Sequence, residues 1–203
     1  MARIVVLGAG IGGMSAAYEL RGTLGQGPEI TVIGEGDRFS FTPSNPWVAV
    51  GWRKPSDVEM PVARYLAKKN IAFEGVGAER VEPDHNRVRL RDGRTLDYDY
   101  LVIATGPRLA FDEVPGLGPE GGFTHSICTT PHATTAWQAY QAFLENPGPV
   151  VVGAAPMASC FGPAYKFAMI LDSDLSKRKL RDRVPITYVS PEPYVGHMGL
   201  GGV

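Results

Sequence analysis

The sequence has 203 residues, with 20 Lys+Arg against 21 Asp+Glu and a formal charge of −1, so it lacks the basic excess of a nucleic-acid-binding surface. Hydrophobic residues make up 44% and charged residues 20%, and a mean hydropathy of −0.07 without any long apolar run excludes a membrane-spanning helix. Two cysteines are too few for a disulfide scaffold, and no Cys/His spacing matches a zinc site, so no metal is expected.

The chain opens with Met1-Ala2-Arg3 and the apolar run Ile4-Val5-Val6-Leu7. That run is too short for a signal peptide and leads straight into glycines, which predicts a cytoplasmic start. Gly8-Ala9-Gly10-Ile11-Gly12-Gly13 follows, then residues 14–21 with helical periodicity, then the apolar run 29–33. Strand, glycine turn, helix and strand make a βαβ unit. Residues 39–60, with Pro43, Pro46, Trp47, Trp52 and Pro55, read as a structured loop, and 61–69 as a helix with proline at its first position. Turn signals at Asp84-His85-Asn86 and Asp92-Gly93-Arg94 divide 78–98 into a three-stranded antiparallel meander. Residues 100–104 read as a buried strand ending at Thr105-Gly106-Pro107.

The Gly/Pro-rich stretch 116–122 reads as a link, giving domains over 1–115 and 116–203. Thr130-Pro131 opens a helix that Asn146-Pro147-Gly148-Pro149 stops. Val150-Val151-Val152-Gly153 begins a second strand and turn, an irregular helix reaches about Lys179, and 185–189 is another strand. The fold class is therefore α/β: a Rossmann-like dinucleotide-binding domain with an antiparallel meander, followed by an incomplete second Rossmann-like domain. With only two strands, that second sheet leaves an edge unpaired, which suggests a piece of a longer protein.

Gly8-Ala9-Gly10-Ile11-Gly12-Gly13 fits G-x-G-x-x-G. Gly8 permits the turn, Gly10 lets the backbone approach a pyrophosphate, and Gly13 lets helix and strand pack closely. The helix N-terminus then offers N–H donors to the phosphates. Position 34, where an acid for a ribose hydroxyl is sought, is glycine. The carboxylate is Glu35, which stands equally well as a solvated loop acid. The segment 98–107 resembles one that recurs in two-dinucleotide-domain flavoprotein reductases, where it brings the chain back past the flavin nucleotide; with the first fingerprint, that resemblance implies FAD rather than NAD, with Ala104, Thr105 and Gly106 at the return. In the second domain the fingerprint positions hold Gly153, Ala155 and Ala158, with Pro156 between them. The added methyls obstruct a pyrophosphate and Pro156 removes a backbone donor, so electrons are expected from a donor other than NAD(P)H. Cys160 lies near the start of one helix and Cys128 near the start of another, where a thiolate is favoured. The turn-like flanks of Cys160 point to reactivity, whereas Cys128 is left open between a packed thiol and a reactive one. His132 and His197 are candidate proton carriers, against the structural role usual for a lone histidine.

These motifs, with Phe41-Thr42-Pro43-Ser44-Asn45-Pro46-Trp47, Ser126-Ile127-Cys128 and Ala158-Ser159-Cys160-Phe161-Gly162-Pro163-Ala164-Tyr165, resemble the N-terminal half of the bacterial sulfide:quinone oxidoreductases. The resemblance implies FAD-dependent oxidation of sulfide to polysulfide or sulfur, with electrons passed to a membrane quinone. It implies that Cys160 is a redox cysteine paired with one beyond residue 203, that Cys128 is a third family cysteine, and that His132 and His197 lie near the sulfide side. Lys166 stands where relatives often carry Glu, which leaves proton handling there open. The family's membrane-binding helices and quinone pocket also lie beyond residue 203, implying a peripheral inner-membrane protein whose N-terminal piece is soluble and deficient in turnover. Self-association into a homo-oligomer is compatible with the sequence and is not read from it. The competing readings are a flavocytochrome-type sulfide dehydrogenase flavoprotein, a type-II NADH:quinone reductase, which would need an intact second fingerprint, and a non-catalytic FAD-binding module.

Overall fold

A computed structural model describes residues 1–158 and 160–197. In chain order the elements begin β1 (Arg3–Leu7), α1 (Ile11–Leu24), β2 (Glu29–Ile33), β3 (Arg38–Ser40), α2 (Asn45–Val48), α3 (Pro55–Val58), β4 (Glu59–Pro61) and α4 (Val62–Ala67). They continue β5 (Ala72–Glu74), β6 (Ala78–Glu82), β7 (Arg87–Leu90), β8 (Thr95–Asp97), β9 (Tyr100–Ile103), α5 (Thr130–Glu145), β10 (Val150–Gly153), α6 (Gly162–Lys177) and β11 (Ile186–Val189). The chain forms two compact units: Met1–Ser40 with Glu59–Leu109, and Phe41–Val58 with the chain from Ala110 onward.

The first unit is built on a four-stranded parallel sheet in the order β5-β2-β1-β9. β1 has no polar residue after Arg3 because both its faces are covered. Ile4 and Val6 point into a core shared with Ala17 of α1 and with Val62 and Leu66 of α4. Val5 and Leu7 point the other way, into a core with Val88, Leu90 and Tyr98. Each such buried aliphatic side chain stabilises the unit by about 1.5–3 kcal/mol. The second layer is the expected antiparallel meander, β6-β7-β8, whose β7 alternates half-buried Arg87 and Arg89 with buried Val88 and Leu90. Arg21 ends α1 from inside: its guanidinium donates to the carbonyls of Gly25 (2.7 Å), Pro28 (3.1 Å) and Asn70 (2.7 Å).

Two local expectations are corrected. β9 was expected to be buried, yet it forms an edge of the sheet, and Tyr100 and Ile103 are 64% and 66% exposed. The apolar run alone could not reveal this, because an edge strand and a central strand can have the same composition. The helix expected over 61–69 begins at Val62 and ends at Ala67, since Pro61 is extended and paired with Arg38. The stretch 39–60, expected as a structured loop, instead holds several short elements, β3, α2, α3 and the start of β4.

The second unit places α5 and α6 with the two-stranded parallel sheet β10-β11 around Tyr140, Val152, Ile170, Leu171, Leu175 and Val184. Residues 41–58 belong to this core through Val50, with Trp47 against it. α5 opens at Thr130 with Pro131 in its first turn, as the sequence predicts, and the capping hydroxyl is that of Thr129, which accepts the His132 amide at 3.2 Å.

Candidate functional site

In the first unit the glycine turn joins β1 to α1 at the carboxyl ends of the parallel strands. β1 lies between β2 and β9, so the chain leaves it to both sides, and the crevice at such a switch point is where open α/β sheets bind ligands. Gly8 has φ +117°, and a Cβ there would stand 2.2 Å from the Ala104 carbonyl oxygen. A Cβ on Gly13 would stand 1.8 Å from the Gly8 carbonyl oxygen. These two glycines are thus demanded by the protein itself: the turn, the helix start and the Ala104-Thr105-Gly106 return press together. The Ala104 amide donates to the Leu7 carbonyl at 2.7 Å and locks that return beside β1.

Gly10 differs. It caps α1 with an ordinary extended backbone, φ −80°, and a Cβ on it would meet no protein atom within 4 Å. Nothing in the fold requires glycine there, so the bare backbone suits a ligand's close approach. The first turn of α1 has no acidic residue and no side-chain cap, which leaves its amides and partial positive charge for an anion. The residues present therefore fit a dinucleotide pyrophosphate.

Glu35 lies just past β2, 68% exposed at its side chain, and pairs with Arg91. Position 34 is glycine for a reason that the sequence alone did not show: a Cβ there would stand 2.7 Å from the Ala9 Cβ and 3.1 Å from the Phe73 ring.

In the second unit Cys128 and Cys160 are exposed free thiols, each two residues ahead of a helix. Ser159, beside Cys160, and Met198 to Val203 lie outside the described residues. The Cys128 amide donates to the Ser126 hydroxyl at 3.1 Å. His132, in the first turn of α5, has Nε2 3.7 Å from a Glu120 carboxylate oxygen, its ring 5.8 Å from Phe111, and a buried Nδ1 without a hydrogen-bond partner. His197 packs edge-on against Tyr194 at 5.0 Å. Lys166 donates to the Pro43 carbonyl at 2.7 Å and stands 4.0 Å from the centroid of the Trp47 ring. Its charge is thus engaged with the 41–58 segment.

The degraded fingerprint also has an altered backbone. In the first unit only residues 8–10 separate strand from helix, whereas β10 and α6 are separated by 154–161, with Met157 at φ +65°. Gly153 is retained for the sheet, since a Cβ there would stand 2.3 Å from the Val189 carbonyl oxygen.

Two features escaped the sequence reading. Asn45 is fully buried, accepts from the Thr130 hydroxyl at 3.2 Å, and has an Nδ2 without a partner. Asp174 is also buried. It accepts from Trp52 Nε1 at 2.7 Å, the Tyr140 hydroxyl at 2.8 Å and Arg178 Nε at 2.6 Å. Only the Arg178 partner, four residues away, was visible as a pattern. No cluster of metal-ligating side chains occurs among the described residues.

A parallel sheet with a glycine-lined crevice at its switch point defines a dinucleotide-binding domain, and the model of the pyridine nucleotide-disulphide oxidoreductase family matches residues 2–195. The chain belongs to that family. Within it, the chain is similar to the sulfide-quinone reductase of Aquifex aeolicus (strain VF5), with 47% identity over 98% of this chain and 45% of that protein. The X-ray structure of the sulfide:quinone oxidoreductase from Aquifex aeolicus superposes with a TM-score of 0.92 at 46% identity, covering 100% of this chain and 46% of that one. The mitochondrial sulfide:quinone oxidoreductase of Dictyostelium discoideum is 27% identical over 93% of this chain and 42% of that protein. The chain thus spans less than half the length of the curated relatives it matches. No helix among the described residues is long and apolar enough to cross a membrane.

Proposed function

We propose that this chain is the nucleotide- and thiol-bearing portion of a sulfide:quinone oxidoreductase. FAD is the nucleotide of the first unit. Gly8, Gly10, Gly13 and the amides of α1 hold its pyrophosphate, the Ala104-Thr105-Gly106 return passes beside it, and Glu35 takes a ribose hydroxyl with the carboxylate oxygen that Arg91 leaves. The bound flavin supplies two-electron acceptance. The observation that carries the reading is Gly10, a glycine with open space in front of an uncapped helix start.

The second unit supplies the sulfur side. Cys160 is an exposed thiol on a loop that has lost the strand-to-helix turn of a nicotinamide site. As a disulfide with a partner cysteine outside this chain, it is opened by hydrosulfide: an S–S bond forms between the incoming sulfur and one cysteine as the Cys–Cys bond breaks, the other cysteine leaves as a thiolate, and bound flavin would be the two-electron acceptor that lets the disulfide re-form. His132, half-buried with Nε2 toward an exposed carboxylate, moves protons between this region and solvent. His197 serves the same side, and Cys128 has a secondary role. Quinone reduction and peripheral membrane attachment belong to portions beyond residue 203.

The test is Cys160→Ala in the longest native protein that carries this chain. Sulfide-dependent quinone reduction falls by orders of magnitude while flavin absorbance and melting temperature hold, because a covalent participant is lost and little packing. Cys128→Ala is milder. Near-normal turnover of Cys160→Ala with loss in Cys128→Ala reverses the assignment, and normal turnover of both removes the sulfur-exchange reading.

A further inference from the structure

The two thiols of the second unit stand at two different helix starts, Cys128 ahead of α5 and Cys160 ahead of α6. The segment 41–58 comes from far back in the chain, belongs to the same unit, and touches both helices through α2. Three consecutive residues of it carry polar contacts. The Pro43 carbonyl accepts from Lys166 Nζ, in the second turn of α6, at 2.7 Å. The Ser44 hydroxyl accepts from Arg53 at 3.1 Å, which ties the segment to itself. Asn45 Oδ1 accepts at 3.2 Å from the hydroxyl of Thr130, the first residue of α5. Ser44, Asn45 and Thr130 are all buried.

Apolar packing follows the same route. Val48 and Ala49 share one cluster with Ala133 and Ala136 of α5, with Ile127 next to Cys128 and with Phe167 next to Lys166. Such packing is non-directional, so on its own it leaves the two helices free to slide. The hydrogen bonds at either end of residues 43–45 fix direction as well as distance. Lys166 is held further by the Trp47 ring, 4.0 Å from its Nζ, and Trp47 belongs to the same segment.

We propose that Asn45 and Lys166 are positioning residues. Through the strap of residues 43–45 they hold the starts of α5 and α6, and with them Cys128 and Cys160, at one fixed separation. Exchange at a disulfide needs the reacting sulfurs close and aligned, and a misplacement of about 1 Å can cost about 100-fold in rate. The consequence for turnover rests on the thiol reading of the preceding subsection, whereas the separation is a property of the fold and is measured without turnover.

The chain has two cysteines, both exposed, so a nitroxide on each reports their separation by pulsed double electron–electron resonance. Wild type is expected to give one narrow distance distribution. Lys166→Met removes the donor to Pro43, Asn45→Leu removes the acceptor for Thr130, and Thr130→Val breaks that second bond from its other side. Each broadens the distribution in a chain that melting shows to be folded. Lys166→Arg and Thr130→Ser keep the donors and keep the wild-type width. In the longest native protein that carries this chain, kcat for sulfide-dependent quinone reduction falls by about 100-fold in Lys166→Met and Asn45→Leu. Flavin content and the KM for quinone hold, and Lys166→Arg restores the rate. A wild-type distribution in Lys166→Met, Asn45→Leu and Thr130→Val overturns the proposal, and so does wild-type turnover in variants whose distribution is broadened. Wild-type turnover in Cys160→Ala instead removes the thiol reading, whatever the distances show.

Discussion

At Gly10 and Gly13 one residue type answers two different demands. A Cβ on Gly13 would stand 1.8 Å from backbone, so Gly13→Ala must push α1 off β1 and costs about 3 kcal/mol, in the upper range of overpacking effects. In a unit of this size that lowers the melting temperature by several degrees. Gly10 has an ordinary φ and no protein neighbour for its Cβ, so Gly10→Val costs no more than a poor helix cap, about 1 kcal/mol. It nevertheless fills the space proposed for the pyrophosphate. Thermal melts of the free chain, with flavin content measured in the longest native protein, should separate the two: Gly13→Ala loses stability, and Gly10→Val loses flavin. Equal flavin content in Gly10→Val and wild type would move the phosphate elsewhere. The turn at Gly8 and the close packing at Gly13 were legible in the sequence because strand, turn and helix are local, whereas the Ala104 carbonyl that also bars a Cβ at Gly8 comes from far along the chain. The reason for Gly34 was not legible, because Phe73 reaches it from a different strand.

Between elements, Asp174 joins α6 to α5 through Tyr140 and to the 41–58 segment through Trp52. Burial alone would raise its pKa, but the hydrogen bonds from Arg178, Trp52 and Tyr140 outweigh burial and hold it below the ordinary carboxylate value. Asp174→Ala leaves the Trp52 N–H, the Tyr140 hydroxyl and the Arg178 guanidinium without their acceptor, and is expected to cost about 3–5 kcal/mol. Thermal unfolding measures it, and a loss under about 1 kcal/mol would show that the network is slack. The sign of the pH dependence follows from the same shift. A carboxylate with a lowered folded pKa contributes its stability fully above the unfolded value, about 3.9, and loses it as pH falls through the folded value. Melting temperature should therefore fall below about pH 4, and the part due to Asp174 should vanish in Asp174→Asn. Asp92 and Asp99 are lowered as well, but they stand in solvent, where such pairs are screened.

Over the whole molecule the two units repeat one plan with different outcomes. In the first, three residues link strand to helix and the helix start faces the crevice, whereas in the second residues 154–161 intervene. NADH at millimolar concentration should therefore give no saturable binding by calorimetry to this chain, and saturable binding would restore the nicotinamide reading. Outside residues 39–60 and β5 (Ala72–Glu74), the chain order of strands and helices, together with the glycine fingerprint, its degraded copy and the meander, was determined by the sequence, because each rests on contacts between near neighbours or on backbone freedom at single positions. Tertiary structure decided what depends on pairing across distance. It made β9 an edge, assigned residues 41–58 to the second unit, engaged Lys166 with the Pro43 carbonyl, and drew Trp52, Tyr140 and Arg178 onto one buried carboxylate. An apolar run reads alike whether one side or two will be paired. A buried aspartate reads like any other until the donors that make its burial affordable arrive from segments far along the chain.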